Sequence, residues 1–522
     1  MEANPVEREP PRRTRPAPGG GAIVLVGFMG AGKSTGARTL AAELAAEPLD
    51  SDRELERRLG EPIESFFDRE GEAAFRAREE EVACELLERS GAPVIALGGG
   101  AVQSERVREA LARHTVVHLE VATEDAWRRA SIKGRPLARD PDRFEALRRD
   151  RGPLYEAVAD AVIPPADRDA LRRALPFLRA LDGVPADTRL LWAAAESGAY
   201  PVYLGRGLIE SGFFPPLGGR RFVVTDDNVA RVQRVEGDER IVVVPGEEHK
   251  TIHGAEHVLR SLAQGGAERG DLVVAVGGGV VGDLAGFCAA VYQRGVRHVQ
   301  VPTTLVAQVD SAYGGKTGVD LPEGKNYAGA YHQPAAVLCD PAALDTLPAE
   351  EAAAGYVEVV KTALIAGGGL WARVRQGGAL GGAEIMGCVR TKLAVVAADE
   401  RDGGRRQVLN LGHTVGHAIE AATGYARYRH GEAIGIGLMV ALRLSDREAL
   451  RAEVADLLAA RGLPLSFSGA SVDEVLGSVE RDKKRAGGRV PFVLVEAPGA
   501  VTPGHQVELG ALRAAVEEIH AR

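Results

Sequence analysis

The sequence predicts an α/β protein in three parts: a parallel sheet covered by helices over 21–163, a second α/β unit over 188–341, and a mostly helical unit over 342–522. Three observations carry that prediction. Short apolar runs alternate with segments of helical spacing through much of the chain. Two of those runs, ending at Gly27 and Gly277, lead into glycine-rich turns, the junctions at which α/β sheets meet their ligands. Beyond 342 the composition shifts to Ala, Leu and Glu at helical spacing. At 522 residues the chain also exceeds what one hydrophobic core usually supports.

Taken in order, residues 1–20 are rich in Pro, Arg and Glu and lack the apolar middle of a signal peptide, so a disordered tail is expected. Strands are expected at 21–27, 93–97 and 115–119, each flanked by helical patterns. From 164 to 187 the pattern weakens around Pro164, Pro165, Pro176, Gly183 and Pro185, which predicts a loosely packed linker with one helix at 168–181. The second unit places strands at 221–225, 240–244, 272–276 and 298–301.

Composition excludes several classes of function. A formal charge of −9 gives no support for a nucleic-acid surface. No apolar run approaches the roughly 18 residues that a membrane span requires. Cys84, Cys288, Cys339 and Cys388 stand far apart without a Cys-x-x-Cys pair, which argues against an iron–sulfur site, a zinc ribbon or a disulfide framework. Reduced thiols in a cytoplasmic protein acting on small molecules are expected.

The first glycine turn reads Gly27-Phe28-Met29-Gly30-Ala31-Gly32-Lys33-Ser34, a G-x-x-x-x-G-K-[ST] loop between a strand and a helix. Gly30 and Gly32 let the backbone wrap a phosphate, Lys33 neutralises β/γ-phosphate charge, and Ser34 with Thr35 stands beside Mg²⁺ and nucleotide. Asp50 and Asp52 follow where a second strand ends; on a strand they share one face, and either alone also suits a helix N-cap. Further on come Phe75-Arg76-Ala77-Arg78-Glu79, Leu97-Gly98-Gly99-Gly100, Gly134-Arg135-Pro136-Leu137 and Arg151-Gly152-Pro153-Leu154-Tyr155.

In order and spacing this set resembles shikimate kinase over 21–163. The resemblance implies a P-loop kinase domain that uses ATP and Mg²⁺ to phosphorylate shikimate. It places Asp52, Gly98, Gly99 and Gly100 at shikimate, with Asp52 as the base. Arg76 and Arg151 grip the carboxylate, Asp50 helps arrange Mg²⁺, and Arg135 approaches the transferring phosphate from a lid.

The second glycine turn, Gly277-Gly278-Gly279-Val280-Val281-Gly282-Asp283, follows an apolar strand and suits either a pyrophosphate or close packing. Downstream, Asn410-Leu411-Gly412-His413-Thr414-Val415-Gly416-His417 sets two histidines four apart, on one face if helical. His430 and Glu432 follow, and Glu358 and Lys361 precede. Histidine with carboxylate suits Zn²⁺ (or Co²⁺), although chemistry alone does not say which histidines bind. Lys316, Lys325, Lys361, Lys392, Lys483 and Lys484 stand among glycines and point to an anionic substrate.

The string GGGVVGD, YQRG, VPTTL, QVDS, GGKTG, GKN, HQP, EVVK, ADER, NLGHTVGHAIE, HGEA and RDKK resembles 3-dehydroquinate synthase from 188 to the C-terminus. The family implies a Rossmann-like NAD domain over 188–341 and a helical metal- and substrate-binding domain over 342–522. By that resemblance Glu358, His413 and His430 hold the metal, and His417 faces substrate. Asp226, Asn228, Glu247, Lys250, Gly278, Gly279, Asp283, Thr303 and Thr304 meet NAD. Asp310, Lys361 and Asn410 meet substrate hydroxyls. Lys316 and Asn326 bind phosphate with Lys483 or Lys484, joined by Arg294 from a second subunit of a homodimer, and Lys325 also meets the heptulosonate phosphate. Lys392 and Arg406 hold the carboxylate. The implied reaction converts 3-deoxy-D-arabino-heptulosonate 7-phosphate into 3-dehydroquinate and phosphate without net redox. Asp402, where the family commonly has Glu, and Tyr313, where a small aliphatic residue is expected, read as tuning. Another sugar-phosphate cyclase, a polyol dehydrogenase and a non-catalytic ligand-binding scaffold are the competing readings.

Overall fold

The computed structural model describes residues 21–89, 91, 93–132, 138–164, 169–485 and 491–521, and for 482–485 the backbone alone. It divides into two compact units, one running to Ala194 with Pro201–Leu217 added, the other comprising Ala195–Tyr200 and the chain from Gly218 onward.

The first unit begins with β1 (Ile23–Val26), α1 (Lys33–Glu43), β2 (Leu49–Asp50), α2 (Ser51–Leu59), α3 (Ile63–Glu88) and β3 (Val94–Ala96). Then come α4 (Glu105–Leu111), β4 (Thr115–Leu119), α5 (Thr123–Ile132), α6 (Pro141–Val158), β5 (Ala161–Ile163), α7 (Ala170–Arg179), β6 (Arg189–Ala195) and β7 (Gly198–Leu204). The strands run β2-β3-β1-β4-β5-β6 in parallel. All of β1 is buried, as expected of a central parallel strand covered on both faces. The helix predicted inside the linker is not loose. Leu171, Ala174, Leu175 and Leu178 form an apolar stripe on α7, and α1 takes it at Gly36, where a Cβ would stand 2.7 Å from Leu171 Cδ1.

The second unit opens with β8 (Arg221–Asp226), α8 (Asp227–Val232), β9 (Glu239–Val243), α9 (Ile252–Gln264), β10 (Leu272–Gly277), α10 (Gly279–Val291) and β11 (Arg297–Pro302). A two-stranded ribbon, β12 (Lys316–Leu321) and β13 (Gly324–Tyr331), precedes β14 (Ala336–Cys339). The order β14-β11-β10-β8-β9 is parallel throughout, so the predicted strands stand where expected, while the ribbon was not foreseen. Its Gly, Lys and Asp residues break the apolar alternation by which strands are recognised.

The rest is mostly helical: α11 (Ala349–Ala366), α12 (Gly368–Val374), α13 (Gly382–Ala398), α14 (His413–Ala422), α15 (His430–Leu444), α16 (Glu448–Ala459) and α17 (Val472–Arg485). An unexpected hairpin, β15 (Phe492–Ala497) with β16 (Ala500–His505), precedes α18 (Leu509–Glu518). Helices α14 and α15 cross closely because glycines meet: a Cβ on Gly437 would lie 2.0 Å from Gly412 O and 2.8 Å from Gly416 N. No described helix is long and apolar enough to cross a membrane.

Two outcomes follow from this packing. Gly437→Ala forces α14 and α15 apart and is expected to cost about 1–3 kcal/mol or more, read as a lower thermal midpoint by calorimetry. His298 is buried on β11 and stacks on His332 with ring centroids 5.0 Å apart; burial, then the neighbouring imidazole, pushes it down to about 3. The unfolded chain takes up this proton below pH 6.5 and the folded chain only near 3, so stability falls as pH drops through that window. His298→Gln is expected to flatten that slope in thermal midpoints measured across the same range.

Candidate functional site

In the first unit the turn after β1 places Gly30 (φ 82°) and Gly32 (φ 88°) on left-handed backbone, which favours glycine. Lys33 opens α1 and donates from Nζ to the carbonyls of Gly27 (2.8 Å) and Phe28 (3.3 Å), curling back over the loop. Ser34 and Thr35 are exposed on the same first turn. Asp50 ends β2 and caps α2, accepting from the amides of Asp52 (3.1 Å) and Arg53 (3.3 Å). Asp52 therefore lies in the first turn of α2, and the expected shared strand face of Asp50 and Asp52 does not form: the cap starts the helix one residue after the strand.

Asp52 nevertheless meets the glycine segment. A Cβ on Gly98 would stand 2.8 Å from Asp52 Oδ1 and 2.5 Å from Glu79 Oε1, and one on Gly100 would stand 1.8 Å from Arg76 Nη1. Only glycine lets these side chains lie against the 98–100 backbone. Arg76 pairs with Glu72 (3.2 Å) and Glu79, one helical turn to either side on α3. Burial, opposed by Arg76, pushes Glu79 above the usual carboxylate range. Arg151 is 2% exposed on α6, and its Nε and Nη2 have no hydrogen-bond partner among the described residues. Its Nη1 lies 3.5 Å from Gly99 O, which also accepts from Tyr155. Arg135 lies outside the described residues. Glu79 and Tyr155 were not singled out from sequence, although Glu79 follows Arg76 at helical spacing.

In the second unit β10 ends at Gly277 and α10 starts at Gly279, so the amides of the glycine turn are presented at a helix N-terminus. The turn has room only for glycine: a Cβ on Gly278 would lie 2.8 Å from Thr304 Cγ2. Thr303 donates its amide to Gly277 O (2.9 Å), placing Thr303 and Thr304 beside it. Asp226 caps α8 through the amides of Asn228 and Val229 (2.9 Å each). Lys250, buried, reaches Glu247 (2.9 Å), Asp283 (3.4 Å) and Asp320 (3.8 Å). Burial pushes Asp283 up to about 6 although Lys250 opposes it. This cradle fits a dinucleotide: close backbone approach, a helix N-terminus and a carboxylate at a strand end.

Helix α14 sets His413 and His417 on one face with ring centroids 5.1 Å apart, and His430 from α15 stands 5.5 Å and 5.8 Å from them. One ligating nitrogen from each lies within 4.8 Å of the others. Glu358, from α11, is 1% exposed, and its Oε1 is 3.9 Å from both His413 Nε2 and His430 Nε2. Lys361 Nζ pairs with Oε2, while Oε1 has no hydrogen-bond donor among the described residues. His413 Nδ1 is 3.2 Å from Leu411 O, which leaves Nε2 to face the carboxylate. Burial, then Lys361 and the other two histidines, holds His413 well below its usual range, so the imidazole is neutral. His417 keeps an exposed edge yet is crowded by protein elsewhere, and burial pushes it down to about 4 despite Glu420. Imidazoles of His413 and His430 converging on a buried carboxylate oxygen are the donor set of a Zn²⁺ or Co²⁺ site, with His417 as a fourth neighbour.

Cations surround these groups. Asp310, on a π-helical turn, accepts from Lys392 Nζ (2.7 Å); burial raises Asp310, but Lys392 and Lys361 outweigh it and keep the carboxyl ionised. Lys325 pairs with Glu420 (3.2 Å), Lys316 with Asp402, and Asn326 sits at φ 57° on the same ribbon. Arg406 is buried and donates to the carbonyls of Glu400 and Gly314 (3.0 Å for the latter). Asn410 is exposed just before α14, and Arg294 is exposed at φ 67°. Lys483 and Lys484 lie on α17, with side chains outside the description. Tyr313 is buried and donates to Gln308 O (2.9 Å), a packing role. Glu420 and Asp320 were not foreseen as part of these networks; Glu420 lies three residues beyond His417 on the same helix.

Comparison with known proteins agrees with this division. Residues 29–181 match the model of the Shikimate kinase family, 240–354 that of 3-dehydroquinate synthase N-terminal, and 355–485 that of 3-dehydroquinate synthase C-terminal. The 3-dehydroquinate synthase of Halorhodospira halophila is 42% identical over 340 residues, covering 60% of this chain and 96% of the relative. That of Nitrobacter winogradskyi is 43% identical over 352 residues, covering 60% and 92%. The solved structure of 2-epi-5-epi-valiolone synthase from Streptomyces hygroscopicus subsp. jinggangensis, with NAD⁺ and Zn²⁺ bound, is 24% identical with a TM-score of 0.57 over 63% of this chain and 98% of that one, a likeness of fold. Its larger part makes the chain a member of the 3-dehydroquinate synthase family, joined behind a segment that matches shikimate kinase.

Proposed function

We propose that the chain is a bifunctional shikimate-pathway enzyme: it phosphorylates shikimate with ATP, and separately cyclises 3-deoxy-D-arabino-heptulosonate 7-phosphate to 3-dehydroquinate with release of phosphate. The observation that carries the reading is the buried Glu358 carboxylate, whose donorless Oε1 faces Nε2 of both His413 and His430.

In the kinase half the chain's own work is positioning and charge neutralisation. Lys33, with the Gly30–Gly32 turn, Ser34 and Thr35, takes the nucleotide phosphates, and Asp50 stands near Mg²⁺. Asp52 accepts the attacking hydroxyl proton beside Gly98, Gly99 and Gly100. Arg76, braced by Glu79, and the buried Arg151 hold the shikimate carboxylate, since a guanidinium with unsatisfied N–H groups is suited to a bidentate anion. Arg135 serves the transferring phosphate.

In the synthase half Glu358, His413 and His430 hold the metal. Asp226, Asn228, Glu247, Lys250, Gly278, Gly279, Asp283, Thr303 and Thr304 seat NAD. Bound there, NAD would supply transient hydride acceptance at the substrate's C5, and Zn²⁺ or Co²⁺ would supply Lewis acidity at the oxygen it carries. Asp310, Lys361 and Asn410 orient hydroxyls, and Lys392 with Arg406 takes the carboxylate. Lys316, Lys325 and Asn326, with Lys483 or Lys484, take the phosphate. His417, neutral at pH 7, accepts a proton beside the reacting carbons. Exposed Arg294 completes the phosphate site of a second copy, which makes the synthase half a homodimer. Four free cysteines accord with a cytoplasmic enzyme. A neutral sugar phosphate leaves Lys392 and Arg406 without a carboxylate, which disfavours another cyclase.

Purified full-length protein with NAD⁺ and Zn²⁺ is expected to release inorganic phosphate from the heptulosonate phosphate without accumulating NADH, and to consume ATP only when shikimate is present. His413→Ala is expected to lower only the first rate and Lys33→Ala only the second, each by about 10²- to 10³-fold. Loss of both rates in either variant sinks the two-site reading, and steady NADH accumulation points to a polyol dehydrogenase. Removing divalent metal with a chelator and restoring Mg²⁺ alone is expected to return shikimate-dependent ATP consumption but not phosphate release, followed by parallel assays on one sample.

A further inference from the structure

Glu420 has no role in the scheme above, yet it is among the most buried charges of the second unit. It lies on α14, 2% exposed, with Oε1 3.2 Å from Lys325 Nζ and Oε2 3.5 Å from His430 Nδ1. Oε2 makes no closer hydrogen bond among the described residues, so the His430 imidazole is the charged partner beside it. Lys325 in turn stands 3.9 Å from Glu247 and 4.9 Å from the ring centre of Tyr425. One carboxylate thus joins a histidine of α15 to a lysine of β13.

A carboxylate taken out of water costs stability unless charge and hydrogen bonds meet both of its oxygens. Lys325 meets one, and among the described residues the imidazole of His430 is the group that stands beside the other. An imidazole that gives one nitrogen to a metal is neutral and carries its single N–H on the other nitrogen. With that proton on Nδ1 toward Glu420, Nε2 keeps its lone pair, and Nε2 is the atom facing Glu358 Oε1 at 3.9 Å. His413 is oriented the same way by a different acceptor, the carbonyl of Leu411.

We infer that Glu420 is a positioning residue, fixing the tautomer and ring orientation of His430 for the metal and anchoring Lys325 of β13 to the same point. The inference rests on the reading of Glu358, His413 and His430 as metal ligands. Groups that orient a ligating histidine typically change metal affinity about 10- to 100-fold when removed. Glu420 also holds Lys325 of β13, so its loss frees the lysine as well.

The test is metal binding by the full-length chain, stripped of metal and titrated with Zn²⁺ or Co²⁺ against a chromophoric chelator. Glu420→Gln is expected to bind Zn²⁺ about 10- to 100-fold more weakly and to alter the visible absorption of bound Co²⁺. Circular dichroism and the thermal midpoint of the metal-free protein establish that the variant is folded. If Glu420→Gln does not fold, Glu420→Asp decides: it keeps the charge but withdraws it by one methylene, and a smaller loss of the same kind is expected. Parent-like zinc affinity and cobalt spectrum in a folded variant overturn the role of Glu420 while the metal site stands. A parent protein that binds neither ion overturns both.

Discussion

The larger part of this chain is organised around a carboxylate that protein alone does not satisfy. Glu358 sits on a helix with almost no solvent and no donor at Oε1 among the described residues, an arrangement whose desolvation cost must be met by positive charge. Lys361 meets part of it from one turn further along α11. Burial pulls the lysine toward its neutral form, but Glu358 and Asp310 outweigh that and keep it an ammonium. The imidazoles opposite are arranged for the remainder: His413 is kept neutral, while Glu420 and Glu358 outweigh burial at His430 and raise it. Alternating charges continue through Asp310 and Lys392, so each buried ion has a counterpart and the set holds together only as a whole.

The kinase-like unit handles buried charge with the opposite sign. Arg151 is the buried group with unsatisfied nitrogens, and burial lowers its affinity for its proton without removing it. Glu79 is the compensating acid, tied to Arg76 and pressed against Gly98. In one unit a donorless carboxylate oxygen faces inward, and in the other guanidinium nitrogens without a partner among the described residues do. Both are cases of protein groups arranged to be completed by a partner from outside.

Much of this was legible in the amino-acid sequence, for a physical reason. The P-loop and the Gly277–Gly279 turn are contiguous, and the glycine requirement acts on each residue separately, so spacing alone locates them. The pairing of His413 with His417 needs only the helical period. Asp52 was harder, because the same residues suit a strand end or a helix start until the Asp50 cap decides between them. The ribbon carrying Lys316 and Lys325 was illegible: KTGVDL and GKNYAGAY have the composition of a loop, and their pairing depends on contact with α10. Glu420 was in plain view, but its partners lie on α15 and β13, and only folding brings them within reach.

That ribbon has a consequence for dynamics. Lys316, Lys325 and Asn326 all come from a two-stranded ribbon whose ladder shifts register between Val319 and Leu321 and whose single β-bridge to its surroundings, among the described residues, runs from Asp320 to Thr251. A two-stranded sheet is weak by itself, and such elements open locally far more often than the domain unfolds. Fraying here withdraws two ammonium groups and an amide in one event. Amide exchange along β12 and β13 gauges that breathing more closely than the melting of the domain does.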